Sequence, residues 1–323
     1  MRVREFKGSL SGTMIINTVK EANNKLRIGI NYKILVLLTL FSSFAQITLG
    51  GYVRSSKSGL GCPDWPLCYG KIIPDFNFHT LIEWSHRVNA SVLIILISVM
   101  FAITLAKYKN INILKKGSFI CLIIVITAAI LGGITVITEL SWWVRLIHLG
   151  LAQALIAVLT ILACYSWTEI KYQKPSAELF GKWKNKTIFL LSILYILILS
   201  GSYMVGTGAS SACATWPLCR GEIFPSQHIY AIHMLHRYIA AIALISVLYI
   251  SYSFYKNNIG NKTVKKAFHA VIGSMALQIV TGAVLIWSGF SADFKTIHLS
   301  VATLVWVSAV YLTTVVWHSS FKN

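Results

Sequence analysis

Eight apolar segments, near residues 34–53, 80–106, 117–138, 144–168, 187–207, 229–255, 267–288 and 296–317, constrain this chain more than any other feature. Each is long enough to carry an α-helix across a hydrocarbon core of roughly 30 Å. A spanning helix satisfies its own backbone groups, and the segments are too long for barrel strands. Composition agrees: 56% of the 323 residues are apolar and only 12% are charged, against about 25% charged in an average soluble domain. A soluble enzyme, a disordered chain and a secreted disulfide scaffold are excluded. The prediction is an all-α integral membrane protein.

The net charge of +19 would point to nucleic acid in a soluble chain. Here the partner is the lipid bilayer, and the distribution of the charge carries the information. Residues 1–33, the loops near 107–116, 169–186 and 256–266, and the C-terminus hold 21 of the 29 basic residues. The positive-inside bias puts these segments, and both termini, in the cytoplasm of a cell whose plasma membrane the chain crosses repeatedly. Residues 1–33 lack the apolar region and cleavage site of a secretory signal and read as a cytoplasmic tail; an organelle transit peptide is the second reading.

The second half of the chain repeats the first. GCPDWPLCYGKIIP at 61–74 matches ACATWPLCRGEIFP at 212–225, EWSHR at 83–87 meets HMLHR at 233–237, and RLIHL at 145–149 meets KTIHL at 295–299. Gly132 also finds Gly282. An even number of spans per half makes the repeat parallel, about an axis along the membrane normal. The expected architecture is eight transmembrane helices in two tandem four-helix bundles related by pseudo-twofold symmetry. Residues 34–168 form the first bundle, 169–186 a cytoplasmic linker, 187–318 the second bundle and 319–323 a short tail.

Four histidines occupy matched places in the repeat: His86, His148, His236 and His298. Each lies 20 or 21 residues from the cytoplasmic end of its segment, so at 1.5 Å per residue all four sit about 30 Å away, near the outer face. A single intramembrane histidine commonly just hydrogen-bonds a neighbouring helix. Four that are duplicated and level point instead to metal ligation. Two facing imidazoles per bundle suit a haem iron, whereas zinc or copper more often recruits Cys or carboxylate into the same cluster. Arg87 and Arg237 directly follow a candidate ligand, and Arg145 and Lys295 lie three residues before one, on the same helix face. Haem carries two anionic propionates, for which these cations are natural partners; the alternative is ordinary snorkelling to lipid headgroups.

Glu83 breaks the symmetry. It shares a helix face with His86, and the matching position in the other half is His233. A carboxylate at an apolar boundary is costly and marks a functional site; the alternative is a helix N-terminal Glu facing water. One carboxylate between two similar pockets implies that the first half performs chemistry while the second carries electrons. Cys62/Cys68 and Cys213/Cys219 share a six-residue offset. On the oxidising side of a membrane they are expected to form disulfides, either as structural locks or as redox-active pairs.

Taken together, EWSHR, RLIHL, HMLHR, KTIHL and both paired-cysteine loops resemble the haem A synthase family, in its bacterial branch with paired cysteines. The resemblance implies an oxidoreductase that converts haem O to haem A for terminal oxidases. It oxidises the C8 methyl group to a formyl group by successive hydroxylations, with water-derived oxygen and an electron acceptor still to be identified. It further implies that His236 and His298 ligate a resident haem b, that His86 and His148 frame the substrate haem O, that Glu83 is essential, and that a haem O synthase is a partner. Two rival readings stand beside it. One is a di-haem b-type membrane electron-transfer protein without substrate chemistry, and the other is a repeat-built transporter.

Overall fold

The computed structural model describes residues 28–167, 177–256 and 262–318. They fold into eight long helices: α1 (Ile30–Ser55), α2 (Phe78–Lys107), α3 (Asn112–Ile137), α4 (Trp142–Trp167), α5 (Ala177–Gly206), α6 (His228–Lys256), α7 (Lys262–Trp287) and α8 (Ala292–His318). All eight carry a stretch long and apolar enough to cross a membrane. Among the described residues there is no strand beyond two isolated bridges, Cys68 with Lys71 and Cys219 with Glu222, one in each cysteine loop. The protein is therefore a multi-pass, all-helical membrane protein. Its large apolar side chains stand exposed around the outside, as at Phe41, Ile95 and Ile245, where lipid rather than protein covers them.

Within the first half, α1 packs on α2 and α4, and α3 on α2 and α4, so the four helices close a ring. The second half closes the matching ring from α5 to α8, with looser contact between α6 and α7 than between α2 and α3. The halves meet through α1 with α8, α4 with α5, and α4 with α8. At the last of these, Gln153 Nε2 donates to Thr303 Oγ1 at 2.9 Å, and these are matching positions in the repeat. Trp306 Nε1 adds a bond to the Gln153 carbonyl at 2.8 Å. Thr48 with Ser300, and Ser55 with Thr296, tie α1 to α8. Polar pairs between spans supply contact energy that apolar burial cannot provide inside a bilayer.

One boundary differs from the sequence reading. Helix α5 begins at Ala177, ten residues before the apolar run, inside the stretch expected to be linker. Hydropathy locates only the part of a helix in the hydrocarbon; the polar turns that continue it leave no such mark. The rest of that linker, with most of the N-terminal tail and residues 319–323, lies outside the described residues.

The ends of the helices follow local rules. Asn77 caps α2 by accepting from Thr80 N at 3.0 Å, which satisfies one of the first-turn donors. Helix α1 closes with bonds from Ser58 N to the Val53 carbonyl and from Lys57 N to the Arg54 carbonyl. This Schellman-type ending places Lys57 at φ 59°, a conformation that favours glycine. The second half has Gly208 there, at φ 78°.

Candidate functional site

Among the described residues a cavity lies in each half, near the end of the bundle that carries the cysteine loops. The first measures about 440 Å³ and the second about 660 Å³, within the span of roughly 300–1,000 Å³ common for small-molecule and cofactor sites. His86 and His148 line the first; His236 and His298 line the second. The four histidines thus come together as two couples, each from two helices of one ring. Their registers match: His86 and His236 are the ninth residues of α2 and α6, and His148 and His298 the seventh of α4 and α8.

A glycine faces every one of these rings. A Cβ placed on Gly50 would lie 3.0 Å from His86 Cε1, and one on Gly201 would lie 3.2 Å from His236 Cε1. The corresponding distances are 3.6 Å from Gly132 to His148 and 3.1 Å from Gly282 to His298. The Gly132–Gly282 match was visible in the repeat. Gly50 and Gly201 lie outside the matched motifs, although they share the 151-residue offset of the cysteine loops.

The hydrogen bonding differs between the two couples. Ser200 Oγ donates to the Leu197 carbonyl and lies 2.8 Å from His236 Nδ1, and so accepts from that ring nitrogen. Thr281 Oγ1 does the same between the Gln278 carbonyl and His298 Nδ1, at 3.0 and 3.3 Å. In the first half no hydroxyl takes that place: His86 Nδ1 is buried without a hydrogen-bond partner, and His148 has only the Ala128 backbone to bond. Two side-chain amides sit beside Nε2 atoms, Gln46 at 3.3 Å from His86 and Gln278 at 3.2 Å from His298. Asn89 fixes Gln46 by donating to its Oε1 at 2.7 Å. None of these polar neighbours was legible as a site residue in the sequence.

Glu83 is buried and lines the first cavity. Arg87 Nε donates to its Oε1 at 2.9 Å. The same guanidinium donates to the carbonyls of Asp64, Leu67 and Cys62. Arg237 repeats this pattern, donating to the carbonyls of Thr215, Pro217 and Cys213 and to His233 Nε2. His233 in turn donates from Nδ1 to the Ala209 carbonyl at 2.9 Å. Both arginines line their cavities, yet most of their donors clamp the cysteine loop to the helix that carries a candidate ligand. Arg145 and Lys295 are placed differently. Each lines its cavity, and Arg145 Nε is buried with no partner.

The loops themselves are closed by disulfides, Cys62–Cys68 with S–S 1.92 Å and Cys213–Cys219 with S–S 2.04 Å. They reach the cavities through Trp65 and Pro66 in one half and Trp216 and Pro217 in the other. In the first loop the Asp64 carboxylate accepts from Tyr69 N and Gly70 N at 2.6 and 2.7 Å. These donors, Gly70 foremost, hold the carboxyl below its ordinary pKa. Thr215 takes its place in the second loop, accepting from Arg220 N at 2.8 Å.

Among the described residues no three His, Cys, Asp or Glu side chains gather to hold a bare metal ion. The donor set is instead two imidazoles per cavity, with a glycine opposite each ring and cations at the rim. These features suit a planar, carboxylate-bearing metal macrocycle held from two helices, and the unpartnered Arg145 Nε is a polar group such a guest can engage. Fold and site together define a duplicated eight-span membrane protein with one paired-histidine cavity in each half.

Comparison with known proteins agrees. The family model COX15-CtaA, described as cytochrome oxidase assembly protein, matches residues 33–310, and the chain belongs to that family. A heme A synthase of Exiguobacterium is 28% identical over 295 residues, covering 88% of this chain and 95% of the relative. Heme A synthases of Macrococcus caseolyticus and Symbiobacterium thermophilum are each 29% identical, covering 83% and 81% of this chain and 90% and 88% of their own lengths.

Proposed function

We propose that this chain is a haem A synthase, an oxidoreductase of haem biosynthesis that converts the C8 methyl group of haem O to a formyl group by successive hydroxylations. The observation that carries this reading is the asymmetry of a duplicated site: two matched histidine couples, of which only the first has a buried carboxylate in its cavity. An electron carrier with two equivalent haems has no use for that difference. A methyl group and one water yield a formyl group with release of four protons and four electrons, so the reaction needs both a proton acceptor and an electron acceptor.

In this reading the first bundle is the substrate domain, where His86 and His148 hold haem O by its iron and the apolar helices receive its farnesyl tail. Glu83, three residues from His86 on the same face, orients water or takes a proton at the reacting methyl carbon and stabilises developing positive charge there. Arg87 holds Glu83 in place. The second bundle is the haem b domain, with His236 and His298 as ligands. Haem b supplies one-electron transfer. Ser200 and Thr281 fix the two imidazoles with Nδ1 protonated, which directs Nε2 to the metal; at His298 the metal would take the place of the Gln278 amide. Arg145 and Lys295 are the better placed of the four propionate candidates, because Arg87 and Arg237 are largely spent on loop carbonyls. The Lys-rich loops and both termini lie in the cytoplasm by the charge bias, which puts the cavities and disulfides at the outer face. A haem O synthase delivering the substrate and an outward electron acceptor complete the pathway.

The test is production of the chain in a cell that makes haem O and lacks its own haem A. Formyl-bearing haem in the pigment extract is the expected result. Unchanged haem O, with a new b-type cytochrome signal in the membrane, would make the protein an electron carrier.

A further inference from the structure

The two cavities share a wall. Arg54, Lys57, Leu149, Ser202 and Leu299 line both. Arg54 lies in the last turn of α1 and Lys57 just beyond it, at the left-handed position of the helix ending. The matching positions in the second half are Val205 and Gly208, so one half alone supplies the charge on this partition. Two more cations adjoin it. Arg54 and Arg145 lie within Coulombic range of each other, and Lys295 within range of Arg54 and Lys57. Among the described residues the ion pairs are Lys71 with Asp75 and Arg87 with Glu83; none of the four cations belongs to either. Arg145 Nε, moreover, is buried and unpartnered.

Like charges gathered at a partly buried partition repel, and more strongly as the surroundings lose water. Such a cluster is built to receive anions. We propose that Arg54 and Lys57 form a carboxylate-binding seam common to both cavities, serving porphyrin carboxylates on either side, while Arg145 serves the first cavity only and Lys295 the second only. The proposal rests on the haem reading above. It adds a residue pair that belongs to neither site alone. Two porphyrins bring four carboxylates to these four cations. The left-handed Lys57 fits this role, since glycine would relax the backbone at that point but reach neither cavity.

The experiment uses the purified full chain in discs of uncharged lipid. Resident haem is measured by absorbance, and the first cavity is titrated with added protohaem. Arg54→Gln is expected to weaken both sites by roughly ten- to hundredfold, the worth of a charge-assisted hydrogen bond. Arg145→Gln is expected to weaken only the first site, and Lys295→Gln only the second. Arg54→Lys, which keeps the charge, restores both and separates the effect from misfolding. Protohaem dimethyl ester, which lacks the carboxylates, is expected to bind weakly and to ignore Arg54→Gln. The seam is overturned if Arg54→Gln alters one site or neither, or if the ester binds as well as the free acid. It is equally overturned if anionic lipid in the discs, rather than porphyrin, responds to Arg54→Gln, because the cations then serve headgroup phosphates. A wild-type chain that takes up no haem at either site defeats the functional reading itself, and the seam with it.

Discussion

The two halves place their histidines alike and fasten them differently. In the C-terminal half, His236 and His298 each give Nδ1–H to a hydroxyl, from Ser200 and Thr281. The N-terminal half has Leu49 and Leu131 at those positions, so neither Nδ1 meets a hydroxyl: that of His86 has no partner, and His148 has only the Ala128 backbone. A ring tied at Nδ1 by a hydroxyl has its tautomer and orientation set for a metal at Nε2; a ring without that hydroxyl is a looser ligand once a metal displaces Gln46 from His86 Nε2. Duplication has kept the imidazoles and the glycines opposite them while the surroundings diverged. A firm hold suits a permanent group, and a loose one beside a carboxylate suits a substrate that must leave as product.

The largest test of that contrast removes the ligands themselves. His236→Ala or His298→Ala is expected to abolish resident haem in the purified protein. His86→Ala or His148→Ala is expected to retain it while ending haem A formation. Haem analysis of the four variants decides the matter, and loss of resident haem from an N-terminal variant would reverse the roles of the halves. Next in size, Glu83→Gln is expected to slow conversion of haem O by roughly 10²- to 10⁴-fold, the range for a lost acid–base group, with the resident haem spectrum unchanged.

A smaller effect sharpens the comparison. Ser200→Ala and Thr281→Val are each expected to weaken haem retention by roughly ten- to hundredfold, as for other partners of metal-bound histidine. Leu131→Thr makes the converse change and is expected to slow haem release from the first cavity; dissociation rates into a haem-scavenging protein report both. The smallest effect concerns the loops. Because the folded pKa of Asp64 is depressed, its contribution to loop order is present above the ordinary carboxylate range and lost as pH falls through the lowered value. Tryptophan emission from Trp65 is expected to change across that acid window, and Asp64→Asn to abolish the change. The second loop, with Thr215, is expected to show none.

Much of the site was legible in the sequence because the repeat filters it. A histidine, glycine or cysteine that recurs at a 150- or 151-residue offset stands out from hundreds of apolar positions. The same filter hides whatever the halves do not share. Ser200 and Thr281 are ordinary hydroxyl residues in spans until packing sets them against a ring. Arg54 has no partner motif in the second half to set it apart in the sequence; its place between two cavities depends on α1 packing against the other half. Arg87 and Arg237 were read as neighbours of a ligand, and their loop carbonyl partners are set by backbone turns that no spacing rule encodes. The spans were visible from hydropathy alone, whereas the early start of α5 was not, because it lies in polar sequence.

The arginine clamp has one further mechanical result. A single guanidinium spans three carbonyls of a disulfide-closed hairpin, and its residue directly follows His86 or His236 in the chain. The hairpin is therefore moored to the same helical turn that carries the imidazole, so the aqueous loop and the candidate ligand share one anchor.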